Sequence, residues 1–69
     1  MVEKDGILYY YENGVGVEKG LFYYEGDYYF AVYRGKIITD RVYDAYKTSC
    51  DLPKGRYEFD AEGKMLREW

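Results

Sequence analysis

Aromatic and aliphatic residues recur at alternate positions along this chain, in short runs bounded by glycine. Three stretches align on a leading glycine: GILYYYENG from Gly6, GDYYFAVYRG from Gly26 and GRYEFDAEG from Gly55. The second and fourth positions after that glycine are Leu8 and Tyr10, Tyr28 and Phe30, Tyr57 and Phe59. The first and third are Ile7 and Tyr9, Asp27 and Tyr29, Arg56 and Glu58. A strand turns successive side chains to opposite faces, so each set shares one face. In the third copy the second set is wholly polar. That marks the Leu8, Tyr28 and Tyr57 side as the core face and predicts that Tyr9 and Tyr29 point away from it.

After each run the chain passes a second glycine and returns with short apolar pairs: Val15 and Val17, Ile37 and Ile38, Met65 and Leu66. Glycine between two β-type runs predicts a hairpin. Asn13-Gly14 is the strongest such turn, because a type I′ turn needs positive φ at both central residues. Arg34-Gly35 and Glu62-Gly63 are weaker turns with longer loops or a bulge, and Asp51-Leu52-Pro53-Lys54-Gly55 has Pro and Gly placed for a type I turn. LFYYE and DRVYDAYK add two further strands. No segment shows a sustained helical period. The expected fold is all-β, a small antiparallel sheet or short solenoid of three Tyr-rich hairpins. One domain spans residues 1–69, with hairpin units at about 6–24, 25–46 and 54–69.

Size sharpens this picture. A chain of 69 residues buries only about 60% of the surface its unfolded form exposes, so its core must use large side chains. Eleven tyrosines, three phenylalanines and one tryptophan meet that need. Thirteen acidic against ten basic residues give a net charge of −3, which argues against nucleic acid as a partner. No apolar run approaches the ~20 residues of a membrane span, and MVEKDG shows no apolar core of an export signal. The single Cys50 excludes an internal disulfide and leaves a bond between two chains as its one pairing.

Catalytic chemistry finds little to stand on. There is no histidine, so the usual general base and the commonest metal ligand are missing, and nothing activates Thr48, Ser49 or Cys50 as a nucleophile. Asp60 and Glu62 flank a turn, not a cleft that could hold paired catalytic carboxylates. The expectation is a protein with no enzymatic activity, no cofactor and no metal.

Glycine, an aromatic pair, a few polar residues and then Gly-Lys with apolar residues resembles the tandem β-hairpin repeats of choline-binding and glucan-binding cell-wall modules of Gram-positive bacteria. The leading Gly6 and Gly26 stand one such period apart, and KGLFYYEGDYYFAVYRGKIIT resembles one full unit. GRYEFDAEGKML resembles the end of another, after an insertion that breaks the period. The resemblance implies stacked hairpins whose aromatic residues form a choline cage or a platform for sugar rings, and a place outside the cell or on its surface. At positions where that family carries tryptophan this chain has Leu21 and Tyr28, and Asp40-Arg41 replace its Gly-Trp pair. These replacements argue against the choline cage.

The candidate ligand-binding face is therefore aromatic: Tyr9, Tyr11, Tyr24 and Tyr29, with Tyr23 in place of Tyr24 should the register shift. Exposed tyrosine stacks on the apolar face of a sugar and donates a hydrogen bond from its hydroxyl, and it suits a protein interface equally well. The competing expectation is that these tyrosines are cross-strand packing. The function expected is a non-catalytic binding module for a glycan or cell-wall polymer. The alternative is a structural, protein-interacting or engineered β-repeat with no ligand of its own. A sheet with two apolar faces must also cover the second one, for which a homodimer is one solution.

Overall fold

In the computed structural model, which describes all of residues 1–69, the chain is all-β. The strands are β1 Val2–Lys4, β2 Ile7–Tyr9, β3 Tyr11–Glu12, β4 Val15–Gly16, β5 Gly20–Tyr24, β6 Asp27–Ala31, β7 Arg41–Ala45, β8 Gly55–Phe59 and β9 Met65–Glu68. They form three antiparallel hairpins, β1–β2, β3–β4 and β5–β6, followed by a three-stranded antiparallel sheet in the order β7–β8–β9. One turn of 3-10 helix, Tyr33–Gly35, is the only helical feature.

The hairpins are cut differently from the expected units. Gly6 and Gly26 do not open strands; they close turns. Asp5-Gly6, Asn13-Gly14 and Glu25-Gly26 have φ of 52° and 80°, 53° and 79°, and 47° and 93°, the positive pairs that a two-residue I′ turn requires. The expected unit at 6–24 is thereby divided: β2 pairs back with β1 and β5 pairs forward with β6. The turn at Arg34-Gly35 behaves as expected. It folds Lys36–Ile38 back along β6, with the Val32 N–H donating to the Lys36 carbonyl and the Ile38 N–H to the Phe30 carbonyl. Asp60 caps the β8–β9 turn by accepting hydrogen bonds from the Glu62 and Lys64 amides.

Both edges of the central β5–β6 hairpin are covered by backbone. Beyond β6, the Ile37 N–H donates to the Leu8 carbonyl and the Tyr10 N–H to the Gly35 carbonyl, which ties in β2. Beyond β5, the Leu21 N–H donates to the Lys47 carbonyl and the Ser49 N–H to the Leu21 carbonyl. The segment between β7 and β8, expected only as a connection, thus satisfies an edge that would otherwise recruit another chain.

Two apolar clusters lie on opposite faces of this hairpin. Leu21, Phe30, Ile38, Ala45, Tyr57 and Phe59 form one against the β7–β8–β9 sheet. Phe22, Tyr29, Ala31 and Ile37 form the other, covered by Leu8, Tyr10 and Tyr24. The expectation of a single core face is corrected here. Leu8 and Tyr10 do point inward, but toward the second cluster, whereas Tyr57 and Phe59 belong to the first. Tyr57 is 1% exposed, and its hydroxyl donates to the Pro53 carbonyl at 2.7 Å, so the buried hydroxyl keeps a partner.

Candidate functional site

The strand period carries the outward side chains of β1 and β2 onto one surface: Val2, Lys4, Ile7 and Tyr9 share a face by register, since Val2 opposes Tyr9 and Lys4 opposes Ile7. Tyr11 continues that alternation into β3. The two rings stand 5.9 Å apart between centroids and are tilted by 44°. Together with Lys4, Gly14, Val15, Gly16 and Arg34 they line an open groove of about 510 Å³. Its scale is that of a small-molecule site, roughly 300–1,000 Å³.

Gly16 and Gly35 allow the groove to form. The β3–β4 hairpin lies directly on the Tyr33–Gly35 turn, and a Cβ at Gly16 would run into the Arg34 carbonyl. Gly35 has φ +83°, and a Cβ there would meet the Tyr10 carbonyl oxygen and come within 2.9 Å of the Val17 nitrogen. This close approach brings Arg34, on a different segment of the chain, beside the tyrosine pair.

The groove has a distinct charge. None of its lining residues is acidic, although the chain as a whole is. Lys4 Nζ lies 5.2 Å from the Tyr11 ring centroid, and the Arg34 guanidinium lies 5.3 Å from that of Tyr33, within the range of cation–π attraction. Neither cation takes part in an ion pair; the ion pairs of the chain use Lys19, Arg56, Lys64 and Arg67. A nearby contrast is instructive. Lys19 lies 5.4 Å from the Tyr10 ring, but Glu12 holds its ammonium at 3.0 Å. Glu12 also accepts a hydrogen bond from the Tyr10 hydroxyl at 2.7 Å. These bonds raise the Tyr10 pKa, lower that of Glu12 and raise that of Lys19. That triad is internally neutralised, and the groove is not.

The four tyrosines expected to form one binding face are separated. Tyr9 and Tyr11 remain together and half-buried at the groove. Tyr29 is only 7% exposed and packs against Phe22 and Tyr24, so it is a core residue and the expected outer face does not present it. Burial is the main cause that raises its hydroxyl pKa. Tyr24 shares that face, edge-on to Tyr10 and Tyr29, and lines no part of the groove.

Other aromatic side chains are open to solvent, among them Tyr23, the alternative to Tyr24 on the expected face. Tyr33 is 69% exposed in the turn beside Arg34, and the Tyr-Arg-Gly of a turn was the available signal. Tyr23 sits across from Tyr28 with centroids 5.0 Å apart, over a cleft that also has Lys19, Cys50 and Asp51. Cys50 is a free, half-buried thiol packed against the first cluster. A more enclosed cleft of about 520 Å³ lies between β2 and the β8–β9 turn; it has no aromatic side chain, and Glu3 and Glu62 line it together with Lys36 and Arg41. No helix is long and apolar enough to cross a membrane.

The Tyr9–Tyr11 groove therefore combines an aromatic pair, one ring from each of two successive hairpins, with two unpaired cations. It can stack on a ring and attract an anion. No family model, curated protein or solved structure matches the chain.

Proposed function

We propose that this protein is a non-catalytic binding module that recognises a glycan or cell-wall polymer through the groove of Tyr9 and Tyr11. The observation that carries the reading is the contrast in coverage between tyrosines of one chain: Tyr29 is packed over, whereas Tyr9 and Tyr11 are half-buried and line an open groove. Tyrosine offers a flat apolar face and a hydroxyl at little loss of rotamer entropy. Mounting it on a strand, not a loop, fixes its direction before the ligand arrives. The two rings stand 5.9 Å apart, so successive sugar residues of a polymer would each meet one ring.

Titration of the 15N-labelled protein with neutral glucan oligosaccharides, peptidoglycan fragments and choline tests this. The expected result is amide shifts confined to Lys4, Tyr9, Tyr11, Gly14 and Gly16 with a sugar polymer and none with choline. Shifts gathered on Tyr23 and Tyr28, or none with any saccharide, would contradict it.

A second reading, interaction with a protein, is favoured by β7. It forms an edge of its sheet, and Val42 and Tyr46 on or beside it are 39% and 48% exposed. An open edge with apolar side chains is a template for pairing with another strand. If a second copy of the chain pairs there, sedimentation equilibrium will detect a dimer that Val42→Lys dissociates.

A further inference from the structure

The groove is cationic in an acidic protein, and that pattern goes beyond stacking on a sugar. Resting on the reading of Tyr9 and Tyr11 as a glycan platform, we infer that the ligand is a polysaccharide whose rings carry anionic groups, which Lys4 and Arg34 engage beside the stacked rings.

Four observations converge. The chain has a net charge of −3, yet no carboxylate lines this groove. Lys4 and Arg34 are among the cations with no ion-pair partner, so an arriving anion displaces nothing. Each cation also rests on an aromatic ring, which limits its freedom and lowers what must be ordered on binding. Arg34 further occupies a turn position with φ 61°, a conformation better suited to glycine or asparagine. Backbone preference does not account for arginine there, whereas a planar fork that can grip a carboxylate or sulfate with two hydrogen bonds does.

The other open surfaces lack this combination. Beside Tyr23 and Tyr28 the cleft contains Asp51, and its Lys19 is already bound to Glu12. The enclosed cleft has Glu3 and Glu62 in its lining beside Lys36 and Arg41, and no aromatic ring. A single-stranded nucleic acid is the less fitting polyanion. It carries a charge at every nucleotide and calls for a basic track along its backbone, whereas this groove offers two cations on an otherwise acidic molecule. An acidic sugar needs only one local charge beside each stacked ring.

The test compares an acidic sugar with its neutral ester and with two other polyanions. Hexagalacturonate, its fully methyl-esterified form, a sulfated hexasaccharide and a single-stranded oligothymidylate are titrated into the labelled protein at low and high salt. The same is done with Lys4→Gln and Arg34→Gln, both at exposed positions whose loss leaves the fold intact. The expected result is that hexagalacturonate binds tighter than its ester, that high salt closes the gap, and that each substitution weakens the acid about fivefold, the upper end for an exposed ion pair. Either substitution weakens the ester by less than it weakens the acid. Tight binding of the sulfated sugar alone also supports the inference and assigns the anion as sulfate. Equal affinity for acid and ester overturns the inference and leaves the glycan platform standing. No binding of any saccharide overturns both, and a preference for oligothymidylate assigns the groove to nucleic acid instead.

Discussion

The N-terminal hairpins and the central β5–β6 hairpin are built from nearly the same residues and end in different environments. Both are rich in tyrosine and both close on I′ turns. In β5–β6 each face receives a neighbour: the three-stranded sheet covers Leu21 and Phe30, and Tyr10 with Leu8 covers Phe22 and Tyr29. In β1–β3 only the Leu8 and Tyr10 face is covered, and Tyr9 with Tyr11 is left lining a groove. The residue type does not decide whether a tyrosine is filler or contact surface. Position in the stack of hairpins decides it.

The sharpest way to break this comparison is to hollow out the central hairpin. Phe30 is fully buried, with its ring 5.2 Å from Tyr43, 5.4 Å from Tyr46 and 6.5 Å from Phe59. Phe30→Ala removes about 3–5 kcal/mol, most of the stability of a domain this small. Urea unfolding should show a midpoint shifted close to zero denaturant. A modest shift would mean that the cluster around Phe30 is not what holds the fold together.

The crossing that joins the two regions is tested next, by two glycines with similar backbones. Gly14 has φ +79° with no atom near its missing Cβ, whereas Gly35 has φ +83° in contact with Tyr10 and Val17 backbone. Gly14→Ala should lose only the ~1–2 kcal/mol of a left-handed residue. Gly35→Ala should lose more, and its amide spectrum should change around Tyr9 and Tyr11 as β3–β4 is pushed away. Equal losses would show that the close approach is not what holds the groove together.

A smaller effect appears at alkaline pH. The Tyr46 hydroxyl donates to Glu18 at 2.5 Å, and that bond pushes its pKa up to about 12. The folded chain therefore keeps a proton that the unfolded chain gives up near pH 10. This contribution to stability is full below about pH 10 and is lost as pH rises toward about 12. Tyr10, Tyr24, Tyr29 and Tyr57 are raised too and act in the same direction. Tyr46→Phe should be slightly less stable at neutral pH and decline less steeply above pH 10 in unfolding experiments. Parallel curves for the two proteins would remove Glu18 from the account.

Much of the fold is legible in the residues, for identifiable reasons. Period-two alternation reports which side of a strand is apolar, so Leu8 and Tyr10 are separated from Tyr9 and Tyr11 by pattern alone. The Asn13-Gly14 turn is local chemistry and can be read directly. Alternation does not report how many faces of a sheet are covered, because that depends on partners distant in sequence. Tyr29 was misplaced for that reason. The signal was present: Leu21-Phe22-Tyr23-Tyr24 and Tyr28-Tyr29-Phe30-Ala31 are apolar at every position, as strands buried on both faces are. Arg34 joins the groove only through the Gly35 crossing, a tertiary approach that no short motif encodes. Asp5-Gly6 and Glu25-Gly26 were readable as turns, but alignment on glycine as the start of each repeat hid their role.

The most direct test sets Tyr9→Ser beside Tyr29→Ser in urea unfolding. The account predicts that Tyr29→Ser loses about 3–5 kcal/mol, as for a large aromatic removed from a core, while Tyr9→Ser loses no more than the ~1 kcal/mol of a cross-strand pair and keeps its dispersed amide spectrum. Comparable losses at the two positions would contradict it, and both tyrosines would then be packing.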